Sequence, residues 1–86
     1  MLAPIRVEIP SRGVWDIPAE VIARDRAAFL ARQASGAGPE PGNQEYDAAF
    51  ESELRFGLGA PEVLRQWAER NMLWADLAPH ARPVRT

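Results

Sequence analysis

A run of helix-breaking residues near the middle of the chain limits what it can fold into. Residues 36–42 read Gly-Ala-Gly-Pro-Glu-Pro-Gly, and neither proline nor closely spaced glycine continues a helix. Gly57, Gly59 and Pro61 form a second break. Apolar periodicity between the breaks predicts helices over about 18–34, 44–56 and 61–71, a flexible loop at 36–43 and an extended tail at 78–86.

Particular residues mark the ends of these helices. Pro18 suits the first position of a helix, where its missing N–H has no partner to lose. Asn43 can cap the second helix with its side-chain oxygen. Gly36 is expected to end the first helix, and Gly57 and Gly59 the second.

The N-terminal residues have the pattern of a β-hairpin. Residues 5–9 alternate apolar and charged side chains, residues 10–13 contain Pro and Gly, and residues 14–17 are again typical of a strand. We expect one hairpin face to carry Ile5, Val7, Ile9, Trp15 and Ile17. The prediction is a single α+β domain over residues 1–86, mainly helical, with this hairpin (about 5–17) packed on three helices. Whether residues 82–86 add a strand stays open.

Composition excludes several classes of protein. The chain has 86 residues, no Cys and one His, which argues against disulfides, thiolate metal sites and a cysteine nucleophile. His80 lies between Pro79 and Ala81 in the predicted tail, so we expect no catalysis, no metal and no cofactor. No apolar stretch of about 20 residues exists, and residues 1–6 lack the features of a signal peptide. We therefore expect no membrane partner and a cytoplasmic location.

Negative charge is concentrated in one segment. The net charge of the chain is −2, but residues 36–60 carry −4 while the segments before and after each carry +1. A solvated helix face explains this distribution most simply, and a docking surface for a basic protein is the alternative. The candidate contact residues combine the acidic side chains with two apolar ones that lie off the main helical stripes. They are Glu40, Glu45, Asp47, Glu51, Leu30 and Phe56. A homodimer could use the same patch.

Each predicted helix places a polar residue on or beside its apolar side. The first helix gathers Val21, Ile22, Ala28 and Phe29 on one face, which also includes Asp25 and approaches Arg32. Glu53 lies within the stripe of the second helix, and Asn71 lies beside that of the third. A buried carboxylate needs a partner, and the indole N–H groups of Trp15, Trp67 and Trp74 are candidates. We expect a structural network. There are two alternatives. A basic residue of a partner could enter the cluster, or Asp25 and Glu53 could form a cation or acid–base site.

Residues 54–67 also permit a second function, DNA binding. They read as helix, glycine turn and helix, and the third helix offers Arg65, Gln66 and Arg70 for contacts with DNA. Glu62 and Glu69 lie on the same helix, and the preceding helix is acidic. Because phosphate contacts dominate affinity for DNA, these carboxylates disfavour a nucleic-acid partner.

Two segments carry a resemblance to known proteins. They are residues 15–23, Trp-Asp-Ile-Pro-Ala-Glu-Val-Ile-Ala, and residues 67–77, Trp-Ala-Glu-Arg-Asn-Met-Leu-Trp-Ala-Asp-Leu. With the acidic, aromatic helix between them, the chain is similar over about residues 5–77 to small uncharacterised bacterial and phage-type proteins. The resemblance implies an accessory protein that binds a larger protein. One such class is the phage-borne inhibitors of host defence, for example anti-CRISPR proteins.

Overall fold

The computed structural model describes residues 2–84 and confirms the α+β class. A β-hairpin is followed by three long helices and a short C-terminal segment. The elements in chain order are β1 (Ile5–Ile9), β2 (Gly13–Ile17), α1 (Ala19–Ser35), α2 (Gln44–Leu58), α3 (Pro61–Asn71), α4 (Trp74–Leu77), a 3-10 turn (Ala78–His80) and β3 (Arg82–Pro83).

The sheet is antiparallel, with strand order β1-β2-β3. Ile5 pairs with Ile17 and Val7 with Trp15, so these side chains share one face, as predicted. β3 pairs with β2, placing Pro83 opposite Trp15. The prediction of an extended tail was wrong at residues 78–80, because these residues form the 3-10 turn. Residues 82–83 do add a strand, and residues 85 and 86 lie outside the described part of the chain.

The helix ends agree with the prediction to within two residues, and both ends of α3 agree with it fully. Pro18 precedes α1 as its N-cap instead of occupying the first helical position. Gly36 ends α1 as predicted, with a φ of 70° and an N–H that donates to the carbonyl of Arg32 at 2.8 Å. The Asn43 side chain caps α2 by accepting from the Tyr46 N–H at 3.1 Å, which confirms its predicted role.

Of the two glycines expected to end the second helix, Gly59 is its C-cap and Gly57 is not an end. α2 continues to Leu58, and Gly57 is buried within it. A Cβ at this position would lie 3.0 Å from Cδ2 of Leu64 and 3.7 Å from Cβ of Ala23. Gly57 therefore lies close to both α1 and α3, and this close approach explains a glycine inside a helix.

α1 buries a different face from the one predicted. Its buried residues are Ala19, Ile22, Ala23, Ala27 and Ala31. Four of these are alanines at four-residue spacing, and this stripe faces α2. Phe29 is 49% exposed, although it was expected in the core. Small side chains let two helices approach closely, so the alanines form the surface that packs on α2, while Ile22 is the larger residue of α1 that is fully buried.

The molecule is elongated. Its principal extents are 46 × 25 × 18 Å, and its accessible surface is 5945 Å², whereas a compact monomer of this mass exposes about 5000 Å². We call the antiparallel pair α1–α2 the helical arm. Its tip is the loop at residues 36–43, and its base lies at the sheet. Within residues 2–84, no helix has the length and apolar content needed to cross a membrane.

Candidate protein-docking surface

Arg26 on α1 lies between two side chains of α2. Its Nη1 donates to Oε1 of Glu53 at 3.0 Å, and its guanidinium carbon lies 5.2 Å from the centre of the Phe56 ring. Only 14% of the Arg26 side chain is exposed. A planar guanidinium can bind a carboxylate at its edge and an aromatic ring at its face. Arg26 therefore ties the two helices of the arm together.

Helical spacing extends this contact into one surface. Leu30 follows Arg26 by one turn on α1, and on α2 Glu45 and Ala49 continue the row that contains Phe56. We call this surface the front face of the arm. It consists of Arg26, Leu30, Glu45, Ala49, Glu53 and Phe56. The two apolar residues predicted to contact a partner thus lie on the same side of the molecule.

The front face combines exposed apolar area with an unpaired carboxylate. Phe56 is 56% exposed, and Leu30 is half-buried. Glu45 is exposed and forms no ion pair with any residue between 2 and 84. An aromatic side chain that remains this exposed next to charged groups is a common feature of protein interfaces.

Of the other acidic candidates, only Glu40 is near Glu45, and the two line one groove at the tip of the arm. Asp47 and Glu51 are one turn apart on the opposite side of α2 from Glu45, and Glu51 lies 4.0 Å from Arg55. Glu40 is in the loop at the tip of the arm. Glu45 and Asp47 both occupy the first turn of α2, where negative charge favours the helix dipole. The predicted contact set is therefore divided between the two sides of the arm.

The polar network expected on the apolar faces does not form as one cluster. No charged residue is fully buried among the described residues, and Arg26 and Glu53 are partly buried. Asp25 is exposed and accepts a hydrogen bond from Nε1 of Trp67 at 2.8 Å, so one of the three predicted indole partners is correct. Glu53 instead pairs with Arg26, which the sequence did not single out. The two carboxylates therefore have different hydrogen-bond partners.

Asp25, Arg32 and Asn71 line one groove between α1 and α3. The groove has a volume of about 380 Å³, and all three residues are exposed. Phe29 and Trp67 also line the groove, and the centres of their rings are 5.4 Å apart with the ring planes inclined at 56°. Three of the four residues predicted to form the polar network are therefore neighbours, but they lie on the surface and not on a buried apolar face.

The candidate DNA-contacting residues of α3 are in different situations. Arg65 Nε donates to both carboxylate oxygens of Glu62, at 3.1 and 3.0 Å, and its Nη1 donates to Glu69 at 2.6 Å. Hydrogen bonding to Glu62 raises the pKa of Arg65, and hydrogen bonding to Arg65 lowers the pKa of Glu62. The second oxygen of Glu69 accepts the backbone N–H of Glu8 at 2.9 Å. Arg65 is therefore held by two carboxylates, while Gln66 and Arg70 are exposed.

Gln66 and Arg70 adjoin the front face. A groove of about 190 Å³ is lined by Arg26 from α1 and by Gln66 and Arg70 from α3. Arg26 thus has α2 on one side and α3 on the other. Arg70 forms no ion pair within the described range, 2–84.

Two further observations bear on function. Over residues 2–84, no group of three or more His, Cys, Asp and Glu side chains is arranged to hold a metal ion. Comparison of the chain with protein-family models, with curated proteins and with solved structures finds no match. Function must therefore be argued from the geometry of the surface.

Proposed function

We propose that this protein is a non-catalytic protein-binding module and that the front face of its arm contacts a partner with basic groups. One observation carries the proposal, namely the exposed Phe56 ring on the same helical row as the unpaired Glu45. Phe56 offers apolar area to a partner, and Glu45 offers a negative charge that no described residue of the chain neutralises.

The Arg26–Glu53 pair supports this use of the surface. Covering an unpaired charge at an interface costs several kcal/mol, roughly the desolvation free energy of the ion. Arg26 and Glu53 are already joined by a hydrogen bond, and Arg26 is already largely buried. A partner can therefore cover the centre of the front face without leaving either charge without a counterion.

The proposed biological context rests on the resemblance to phage-type accessory proteins. An accessory or inhibitor protein of a phage or mobile element would act by binding a larger protein. An acidic module of this kind would bind a basic region of that protein, such as a surface that normally contacts nucleic acid.

Affinity capture from a cell lysate, read by mass spectrometry, tests the proposal. Wild-type protein is compared with Phe56→Ser, Glu45→Lys and the matched control Glu51→Lys. Glu51→Lys makes the same charge change on the same helix, but on the opposite side. We expect a specific partner to be retained by the wild type and the control and lost with the two front-face variants. Equal capture by all four proteins would contradict the proposal.

DNA binding is tested in parallel, because Arg70 remains free on α3. We expect no electrophoretic shift of duplex DNA at low salt, since Arg65 is neutralised and α2 is acidic. A shift that Arg70→Glu abolishes would instead favour a nucleic-acid function.

A further inference from the structure

We infer that the free edge of β1 is a latent docking site for the β1 strand of a second copy of this chain, and that Glu69 keeps this edge closed. The inference concerns the sheet and does not rest on the proposed function, which uses the front face of the arm. It gives the contact between Glu69 and the backbone of Glu8 a role in preventing self-association.

β1 is an edge strand, because the strand order is β1-β2-β3 and β2 pairs with only one of its sides. The N–H of Glu8 donates to Oε2 of Glu69 on α3 at 2.9 Å, so it points away from β2. Successive residues of a strand alternate in direction, and Val7 is paired with Trp15 of β2. Arg6 and Glu8 therefore both direct their backbone N–H and C=O groups to the free side of the strand.

Prolines limit strand pairing at the other places where the sheet is open. Pro4 and Pro10 flank β1, and proline has no N–H to donate. On the opposite edge, the N–H of Val84 donates to the carbonyl of Val14 in β2 at 3.4 Å, so the adjacent Pro83 faces outward. An open strand edge can pair with another chain, and proline at an edge prevents this. The middle of β1 is therefore the part of the described sheet best able to pair with another strand.

The middle of β1 is complementary to itself. In an antiparallel pair of β1 strands centred on Val7, Arg6 of each copy lies opposite Glu8 of the other copy. Opposite charges directly across an antiparallel pair are favourable. The outward backbone groups of the same two residues would form the hydrogen bonds of the pair. On the other face Ile5 lies opposite Ile9, so apolar residues also meet apolar residues. This charge and hydrogen-bond pattern favours a second copy as the occupant of the edge.

Glu69 occupies a hydrogen-bonding position that this pairing needs. Its Oε2 accepts the Glu8 N–H at 2.9 Å, and its Oε1 accepts Nη1 of Arg65 at 2.6 Å. Only 23% of the Glu69 side chain is exposed. Each strand of the β1 pair would donate through Arg6 and Glu8, so Glu69 withholds one of these two donors in each copy. A carboxylate oxygen accepts a stronger hydrogen bond than a backbone carbonyl, and the intramolecular contact therefore prevails.

Hydrogen exchange of the β1 amides at low protein concentration tests the contact. In the wild type we expect the Glu8 amide to be protected roughly tenfold or more over the Arg6 amide, because only Glu8 donates to a charged acceptor. Glu69→Ala should remove this protection. The matched control Glu62→Ala removes the other carboxylate that holds Arg65 and should retain it. Equal protection of the two amides in the wild type would overturn the inference without any substitution.

Sedimentation velocity with the whole chain, from about 1 µM to about 500 µM, tests whether the opened edge pairs. We expect Glu69→Ala to self-associate roughly tenfold or more strongly than the wild type and Glu62→Ala, because each copy regains a backbone donor. Adding Arg6→Pro removes the Arg6 donor and should abolish this gain. Adding Arg6→Ala instead removes the charge but keeps the donor, and should only weaken the association.

Thermal melting shows which variants are folded. If Glu69→Ala does not fold, Glu69→Asp replaces it, because the shorter side chain draws the oxygens away from Glu8 and keeps the charge. A folded variant that associates no more strongly than the wild type overturns the inference, and so does association that Arg6→Pro and Arg6→Ala reduce equally. Neither result affects the capture of another protein by the front face, so the proposed function is decided separately.

Discussion

Arginine is the only strongly basic side chain in this protein, and the structure uses its planar shape repeatedly. The chain contains ten Arg and no Lys. Arg65 binds Glu62 through two atoms and reaches Glu69 as well. Arg12 lies over the Trp74 ring at 4.8 Å, as Arg26 lies over Phe56. An ammonium group lacks the planar fork that makes these paired contacts, so Lys would not replace Arg at these positions without loss.

The hydrogen bond from Trp67 to Asp25 provides a test with one residue. Asp25→Ala removes the acceptor and leaves the indole N–H without its partner, which should reduce the free energy of unfolding by about 1 kcal/mol. Asp25→Asn keeps a side-chain oxygen and should restore most of that loss. Urea denaturation measures both values. Equal stability of the Ala variant and the wild type would show that water replaces the contact.

The Glu62–Arg65 pair predicts a dependence of stability on acid. Hydrogen bonding to Arg65 lowers the pKa of Glu62 below its usual 4.5. A carboxyl whose pKa is lower in the folded state stabilises the fold above its unfolded pKa, and the effect disappears as the pH falls through the folded value. The wild type should therefore be more stable than Glu62→Gln at neutral pH.

Denaturant titrations of both proteins across this pH range measure the effect. We expect the difference between them to be constant above about pH 5 and to vanish in stronger acid. The side chain is exposed, so the difference is small. A gap that persists well below the folded pKa of Glu62 would mean that the substitution acts through packing and not through the ion pair.

Among the elements, α1 shows how small side chains decide packing. Alanines at positions 19, 23, 27 and 31 are buried, while Phe29 is half exposed on the side of α3. Gly57 of α2 meets this stripe near Ala23. Phe29 and Leu30 lie beside this alanine stripe and not within it, so both remain at least partly exposed.

A substitution in the alanine stripe tests this arrangement. Ala27→Leu adds three carbon atoms where two helices are in close contact and should reduce stability by about 1–3 kcal/mol through overpacking. Ala34→Leu makes the same change at an exposed position of the same helix and should alter stability by less than about 0.5 kcal/mol. Thermal or chemical denaturation gives both values. Similar effects of the two substitutions would indicate that α1 and α2 do not pack through this stripe.

Over the whole molecule, the core is concentrated at one end. The continuous buried cluster joins the sheet to the first half of α1 and to α3. It contains Ile5, Val7, Ile9, Ile17, Ala19, Ile22, Ala23, Leu64, Ala68 and Leu77. Toward the tip of the arm, the buried residues are Ala27, Ala31 and Tyr46. The arm is therefore stabilised mainly by contacts between its own two helices.

This uneven core predicts a gradient of local stability. Native-state hydrogen exchange should show slow, global-type opening at Ala23 and a lower opening free energy at Ala31, although both lie in α1. The measurement is best made at low protein concentration, which limits any protection by self-association. The same opening free energy along all of α1 would instead indicate that the arm and the sheet unfold as one unit.

Local signals in the sequence determined the elements and most of their boundaries. Each of these signals acts within a few residues and can therefore be recognised without knowing the fold. They include the alternation at residues 5–9, the cap at Asn43 and the break at Gly36. Contacts between distant residues were decided by the tertiary structure. Arg26 meets Glu53 across 27 positions, and Trp67 meets Asp25 across 42. The tertiary structure also decided which face of α1 is buried. Both the alanines and the larger residues of α1 form apolar stripes, and the shape of the neighbouring helix determines which stripe packs against it.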